Sequence, residues 1–407
     1  MEEWKSYKLG DISTIQTGPF GSQLHQSDYV ESGVPCIMPT NIGRMLDFQV
    51  AGIAHISEGD ALKLSRHIVH EGDIVYSRRG DIEKCAYVSQ EQDGWFCGTG
   101  CLKITINSNL AVPKFVAYYL STDEIKSWIV GNAVGTTMLN LNTSVLADVP
   151  LSLPSIQMQK RCVQILDSIE NKIALNNRIN HNLEEQAHAL YKSWFVDFEP
   201  FKNGTFVDSE LGMIPEGWVV RRLGDVCKCV LGGTPSRNNS EYWGGSIAWI
   251  NSGAVNEFRI IEASEYITEK GLNSSATKLL PNNTVVLAIT GATLGQFSIL
   301  AIPSCANQSV IGILQNGKFP TEYIYPLIAN RIDDLMLSAT GGAQQHINKN
   351  NVEELYVLEP TDDVMSHYLS LTRPLYEQIN AQYLESNKLS CTRDYLLPRL
   401  MDGFISV

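Results

Sequence analysis

At 407 residues the chain is long enough for two to three domains, each with ample core. It contains no run of about 18 apolar residues, which excludes a membrane-spanning helix. The formal charge of −13 argues against a simple nucleic-acid binder, which carries a basic balance. Any DNA would have to be met at local basic spots, or with phosphate neutralisation supplied in part by a partner.

The start, MEEWKSYKLGDIS, is charged and polar and predicts no secretory signal. The odd count of nine cysteines then reads as reduced thiols in the cytoplasm. No Cys-x-x-Cys pair and no histidine pair at finger spacing occurs, so no structural metal is expected. The eight histidines are scattered.

Taken in order, the chain repeats itself. Trp4-x-x-x-x-Leu9-Gly10-Asp11-Ile12 recurs as Trp218-x-x-x-x-Leu223-Gly224-Asp225-Val226, an offset of 214. A glycine loop follows each, Thr17–Ser22 and Gly232–Ser236. Short apolar runs then predict strands at Val34–Met38 and Ile247–Ile250, at Asp73–Gly80 and Thr284–Gly291, and at Cys101–Ile106 and Ser309–Leu314. One helix is expected near Pro113–Trp128 and its counterpart near Pro320–Leu337. A last strand ends at Pro154 or Pro360, where the offset has become 206.

Ser155–Phe198 holds no proline and no glycine. Small or apolar residues recur at spacings of four and three: Cys162, Leu166, Ile169, Ile173, then Leu183, Ala187, Leu190 and Trp194. That is one continuous helical seam, of coiled-coil type and roughly 60 Å long. Asn176 and Asn180 are polar positions in it. The tail repeats the pattern 206 residues on, with Leu375, Ile379, Leu389, Leu396, Leu400 and Phe404 as seam and Gln382 and Ser386 as polar counterparts. Pro374 should kink this second helix or mark its first turn, and Pro398 should end it.

The expected order is a domain over 1–154, a helix over 155–198, a turn-rich connector over 199–217, a second domain over 218–360 and a second helix with tail over 361–407. The fold class is α+β: two α/β-type globular domains separated by a pair of long antiparallel helices, related by a pseudo-twofold repeat.

Chemistry for catalysis is missing. Phe96-Cys97-Gly98-Thr99-Gly100 matches the FxGxG pattern of adenosylmethionine-dependent methyltransferases, but a strand-like run follows where that site needs a helix. No amino-methylase Pro-Pro-Tyr motif, no Walker loop and no Gly-x-Ser-x-Gly elbow is present. A methyltransferase built on FCGTG and a scaffold without any DNA role are the competing readings.

Polar loops recur at equivalent places in both halves. The candidates for DNA contact are Thr17, Gly18 and Ser22, then Arg78, Arg79 and Lys84, then Thr136, Thr137 and Asn140 in the first half. In the second they are Thr234, Ser236 and Arg237, then Thr290 and Thr293, then Gln344, Gln345 and His346. Arginine reads guanine bidentately, and small polar side chains meet phosphates and base edges. The glycine loops would also offer backbone N–H groups. The helix pair, through Ile169, Ile173, Leu183, Leu190, Leu375, Ile379, Leu389 and Leu396, is the candidate spacer and partner surface.

These motifs resemble the DNA-specificity subunits of type I restriction–modification systems. The matching residues are Leu223-Gly224-Asp225 after Ile214-Pro215-Glu216-Gly217-Trp218, the Gly232-Gly233-Thr234-Pro235-Ser236 loop, and Thr290-Gly291-Ala292-Thr293-Leu294-Gly295. Pro154–Gln159, leading into the first long helix, and the tail Leu396–Gly403 are also similar to the family pattern. The resemblance implies two target-recognition domains, each reading half of a bipartite, asymmetric double-stranded DNA site. The helices would serve as a ruler between half-sites. It implies two methyltransferase subunits as partners, which carry adenosylmethionine, and restriction subunits, which carry the ATP-driven motor. No cofactor would be bound by this chain. The first domain departs from the pattern: Gly18-Pro19-Phe20-Gly21 replaces Gly-Gly-Thr-Pro, and Arg78-Arg79-Gly80-Asp81 replaces Thr-Gly-Ala-Thr, so its target must differ.

Overall fold

A computed structural model describes residues 4–43, 45–133, 139–339 and 345–405. Its contacts divide the chain into two compact units, Met1–Lys172 with Leu389–Val407, and Ile173–Lys388.

In the first unit four antiparallel strands lie in the order Ser13–Thr17, Cys101–Ile106, Ile74–Ser77 and Cys85–Tyr87. The strand Ile74–Ser77 is buried on both faces. Its period of two sends Ile74 and Tyr76 to a core shared with Leu102, Ile104, Phe115 and Val116, and Val75 to another with Ile37, Ala86 and Cys97. A second sheet orders Tyr29–Val30, Ala54–Ile56, Val34–Ile37 and Phe96–Cys97, the last pairing being parallel. Lys5–Lys8 pairs with Pro150–Leu153, which fastens the start of the unit to the strand that precedes the long helix.

The single helix expected near Pro113–Trp128 is two helices, Pro113–Leu120 and Asp123–Asn132. They part at Ser121 and Thr122, whose buried hydroxyls donate to the carbonyls of Tyr118 and Tyr119, both at 2.8 Å. Such hydroxyls offer the backbone a local alternative to continued helix.

The second unit repeats the plan. Five strands lie in the order Lys228–Leu231, Val310–Leu314, Val285–Ala288, Phe297–Leu300 and Arg259–Ile260. Val285–Ala288 is again buried on both faces, with Val285 and Leu287 in one core and Val286 and Ala288 in another. Val219–Arg222 pairs with Tyr356–Glu359, as Lys5–Lys8 does with Pro150–Leu153. The helix Thr321–Leu337 carries Pro326 inside it. Proline removes one backbone donor; the carbonyl of Glu322, four residues earlier, instead accepts the Tyr368 hydroxyl at 3.1 Å.

Both long helices form, over Ile156–Phe195 and Asp362–Met401, 40 residues each. The second starts well before Pro374, which therefore does not mark its first turn, and continues past Pro398, expected to end it, to Met401. Both prolines lie on its exposed side, and so do Ser370 and Asp394, whose carbonyls they release to solvent. Within the first unit Arg393 meets Glu170 at 2.9 Å. Within the second, the Asn176 amide donates to Glu385 Oε2 at 2.8 Å and Ser386 Oγ at 3.2 Å. In each unit, then, the helix segments run antiparallel. Asn176 thus faces the counterpart of Asn180, not its own.

The seam is buried where the spacing placed it. Cys162 and Leu166 join the core of the first unit with Leu397 and Leu400, and Leu396 packs at its edge. Leu183, Ala187, Trp194 and Ile379 lie in the core of the second, with Leu190 and Leu375 at its edge. Ile169 is buried, and Ile173 and Leu389 are half-buried. Phe404 does not follow Phe198 into a core: the helix has ended, Gly403 turns the chain at φ 70°, and Phe404 is 84% exposed. Among the described residues no helix is long and apolar enough to cross a membrane.

Candidate nucleic-acid interface

Each unit builds the same backbone frame around the start of one strand. In the first, that start is Gly100–Cys101. The Gly18 N–H donates to Cys101 O at 2.9 Å, and the Arg78 N–H to Gly100 O at 2.8 Å. Arg78 O accepts the Leu141 N–H at 3.0 Å, and Arg79 bridges Asn140 in antiparallel register. In the second unit the start is Ser309–Val310. The Gly232 N–H donates to Val310 O at 3.0 Å and the Ile289 N–H to Ser309 O at 2.9 Å. Ile289 O accepts the Ile347 N–H at 3.0 Å, and Thr290 bridges His346. Three segments distant in sequence are therefore held together twice, by equivalent hydrogen bonds.

The two glycines are required by this frame. A Cβ on Gly18 would lie 2.1 Å from Gly98 O, and one on Gly232 the same 2.1 Å from Asn307 O. The expectation that the glycine loops offer free N–H groups is corrected for three of their glycines. The N–H groups of Gly18, Gly232 and Gly233 are bonded inside the frame, the last to Ala306 O at 2.8 Å. Glycine serves close backbone approach there. The Phe96–Gly100 segment is part of the same packing, and the strand Cys101–Ile106 follows it directly.

The side chains carried by the frame differ between units. In the first, Arg78 lies over the Phe20 ring at 5.7 Å, and Phe20 is 54% exposed. Arg78 Nε and Asn140 Oδ1 have no hydrogen-bond partner among the described residues. Arg79, Gly80 and Ser22 are exposed, and Thr17 ends its strand opposite Leu102. Lys84 is paired with Asp81 at 2.8 Å. In the second, Thr234 Oγ1 donates to Gln308 Oε1 at 2.5 Å and Ser236 O accepts the Trp243 indole N–H at 3.2 Å. Arg237 makes a bidentate pair with Glu265 at 2.6 and 2.7 Å and stacks 3.6 Å from the Trp243 ring centre. The hydrogen bonds from Arg237 hold the Glu265 carboxyl below its ordinary range. Thr293 lies in the short turn Gly291–Thr293, and Gln345 and His346 are exposed. Thr136, Thr137 and Gln344 lie outside the described residues.

Sequence reasoning missed four parts of this surface: Phe20, Thr99, Gln308 and the Trp243–Glu265 clamp. Thr99 Oγ1 donates to Pro19 O at 3.1 Å, tying the FCGTG segment to the glycine loop. An aromatic between two glycines, as in Gly18-Pro19-Phe20-Gly21, was the legible signal for Phe20. The clamp left none, because Arg237 and Glu265 are far apart in sequence. Among the described residues no group of three His, Cys, Asp or Glu gathers as a metal site.

Comparison with known proteins finds relatives over the whole chain. The family described as "Type I restriction modification DNA specificity domain" matches residues 1–185 and 215–369. The HindI specificity subunit of a type I restriction enzyme from Haemophilus influenzae is 23% identical over the full length of both chains. The MjaIX specificity subunit from Methanocaldococcus jannaschii is 25% identical, covering 100% of this chain and 94% of that one. A solved S subunit of a type I restriction–modification system from M. genitalium has the same fold, with TM-score 0.59 at 14% identity, covering 98% of this chain and 96% of that one.

Proposed function

The chain belongs to the type I restriction–modification DNA-specificity family, and on that premise we propose how its parts divide the work of sequence recognition. Each unit presents one reading surface to duplex DNA, built on the repeated frame. The observation that carries this reading is the twofold occurrence of one hydrogen-bonded frame with different side chains. Arg78, Arg79, Asn140 and Phe20 stand on it in one unit, and Thr290, His346, Thr234 and Gln308 in the other. A repeated frame with differing side chains suits two surfaces that read different half-sites by base-edge and phosphate contacts.

The net charge of −13 supports a division of labour with partner subunits. Two methyltransferase subunits, bringing adenosylmethionine, would clamp the DNA and methylate adenine. Restriction subunits would bring the ATP-driven motor. This chain would bind neither cofactor and catalyse nothing itself. The long helices would set the gap between half-sites and carry partner contacts.

Methylation mapping tests the assignment. A host carrying the system should show adenine methylation at a bipartite motif. Exchanging residues 218–360 for those of a relative should change one half of that motif and leave the other intact. A methylated motif indifferent to that exchange overturns the reading.

A further inference from the structure

The second unit holds a pocket of about 450 Å³ that the reading frame does not use. Its walls are aromatic: Phe258, Phe297, Tyr325 and Tyr376 line it. Phe258 and Tyr325 meet with ring centres 4.6 Å apart, Phe297 and Tyr325 at 5.0 Å, and Phe258 and Tyr376 at 5.8 Å. Its rim is acidic. Glu184 and Glu185 line it from the first long helix together with His181 and His188; His181 Nε2 lies 3.5 Å from Glu185 Oε1, and Glu257, beside Phe258, adds its charge to that of Glu184.

Two features show that this site is incomplete by itself. Glu184 is half-buried and repelled by Glu257, with a hydrogen bond from Tyr383 working in its favour. No lysine or arginine pairs with either carboxylate among the described residues. The buried Arg259 side chain nearby bonds instead to Asn283 Oδ1 at 3.3 Å. In addition Tyr376, 3% exposed, lines the pocket with a hydroxyl that has no partner among the described residues. Glu184 and Glu257, with no lysine or arginine opposite them, beside several aromatic faces form an environment that attracts a cation both by charge and by the ring quadrupoles.

We propose that this pocket receives an organic cation, an alkylammonium or guanidinium group held between the aromatic walls and the Glu184–Glu257 pair. The inference does not depend on the DNA-reading assignment, because it rests on other residues. A cationic side chain from a partner subunit and a free polyamine present the same chemistry.

Saturation-transfer NMR on the full chain tests it with butylguanidinium and its uncharged isostere butylurea. Butylguanidinium should bind and butylurea should bind roughly tenfold more weakly, since only the first answers the uncompensated charge. Glu184→Gln, which keeps the shape of the side chain, should lower butylguanidinium affinity by a similar factor. Glu257→Gln, at an exposed position, should do so without touching the pocket wall. Equal binding of the two probes, affinity unchanged in both variants, or no binding of butylguanidinium overturns the proposal. Repeating the measurement on the chain co-purified with its partner subunits separates the sources. Loss of the butylguanidinium signal there assigns the pocket to a partner side chain, and a retained signal assigns it to a free cation.

Discussion

Asn176 and Asn180 offer one substitution at two neighbouring sites with opposite expected effects. Both are buried, at 0% and 2% exposure, on the same helix. The Asn176 amide donates to Glu385 at 2.8 Å and Ser386 at 3.2 Å. Asn176 Oδ1 has no partner among the described residues; at Asn180 neither amide atom has one, and Gln382, level with it in the antiparallel register, has an unpartnered Oε1. Replacement by alanine raises helix propensity equally at both sites, so that contribution cancels between them. Asn176→Ala loses a neutral hydrogen bond of about 1 kcal/mol and a charge-assisted one of about 1.5–3 kcal/mol. Asn180→Ala loses none and removes two unpartnered buried polar atoms, against one for Asn176→Ala, each costing about 1–3 kcal/mol of desolvation. The two variants should therefore differ by at least about 2.5 kcal/mol. For a unit of this size that is a melting difference of about 5–10 °C, with Asn180→Ala the more stable. Differential scanning fluorimetry of the second-unit transition reads it. If Asn180→Ala melts at or below Asn176→Ala, the argument from unpartnered polar atoms is wrong.

Four further outcomes are expected. Arg393→Met should destabilise the first unit by about 3–5 kcal/mol, because it strands Glu170 in a partly buried site, and adding Glu170→Leu should recover part of that loss; a double-mutant cycle by urea denaturation measures both. Gly18→Ala should destabilise the first unit by about 1–3 kcal/mol through the clash with Gly98 O. Gly21→Ala, with nothing within 4 Å of the new Cβ, should melt like the parent. The Glu184 carboxyl is pushed up to about 7 by burial and then by Glu257, from an ordinary 4.5. The folded state then binds the proton more tightly than the unfolded one, so Glu184 lowers stability as pH rises from about 4.5 to about 7. Glu184→Gln should flatten that part of the melting-temperature profile, and an unchanged profile would contradict the assignment. Inserting seven residues into each long helix, near Asn180 and Ser386, should lengthen the methylated gap and leave both half-sites unchanged, as methylome sequencing would show.

The long helices and the repeat were legible because both are periodic. The four–three spacing from Cys162 to Trp194 has one physical cause, a helix face turned to a core, and burial follows it. What stayed hidden depended on tertiary partners. Pro374 and Pro398 read as helix signals by local rules, yet sit on an exposed face where the loss of one backbone bond is tolerated. Arg393 stands 206 residues after the seam residue Ala187, a polar break whose partner, Glu170, only the fold supplies. At the interface, glycine positions were legible but their purpose was not: free N–H groups and close packing leave the same mark in a sequence. Arg237 was legible as a cation, but not as one held by Glu265 and stacked on Trp243.

The division between frame and side chains explains how one architecture can read unrelated sequences. The bonds that shape the proposed reading surface run from main chain to main chain: Gly18 to Cys101 and Arg78 to Gly100 in one unit, Gly232 to Val310 and Ile289 to Ser309 in the other. No side chain takes part in them, so a change at Arg79 or His346 leaves them intact. The glycines are the exception, since any Cβ there collides with the backbone opposite. Selection on specificity is therefore free to act on Arg79 and Asn140, or on Thr290 and His346, without loss of fold. The frame glycines are constrained by packing alone. Substitutions that alter the recognised half-site should accordingly cluster at the paired positions and spare Gly18 and Gly232. A library randomised across all of these positions, sorted for a new methylation motif, would recover that pattern; enrichment of non-glycine residues at Gly18 or Gly232 would refute it.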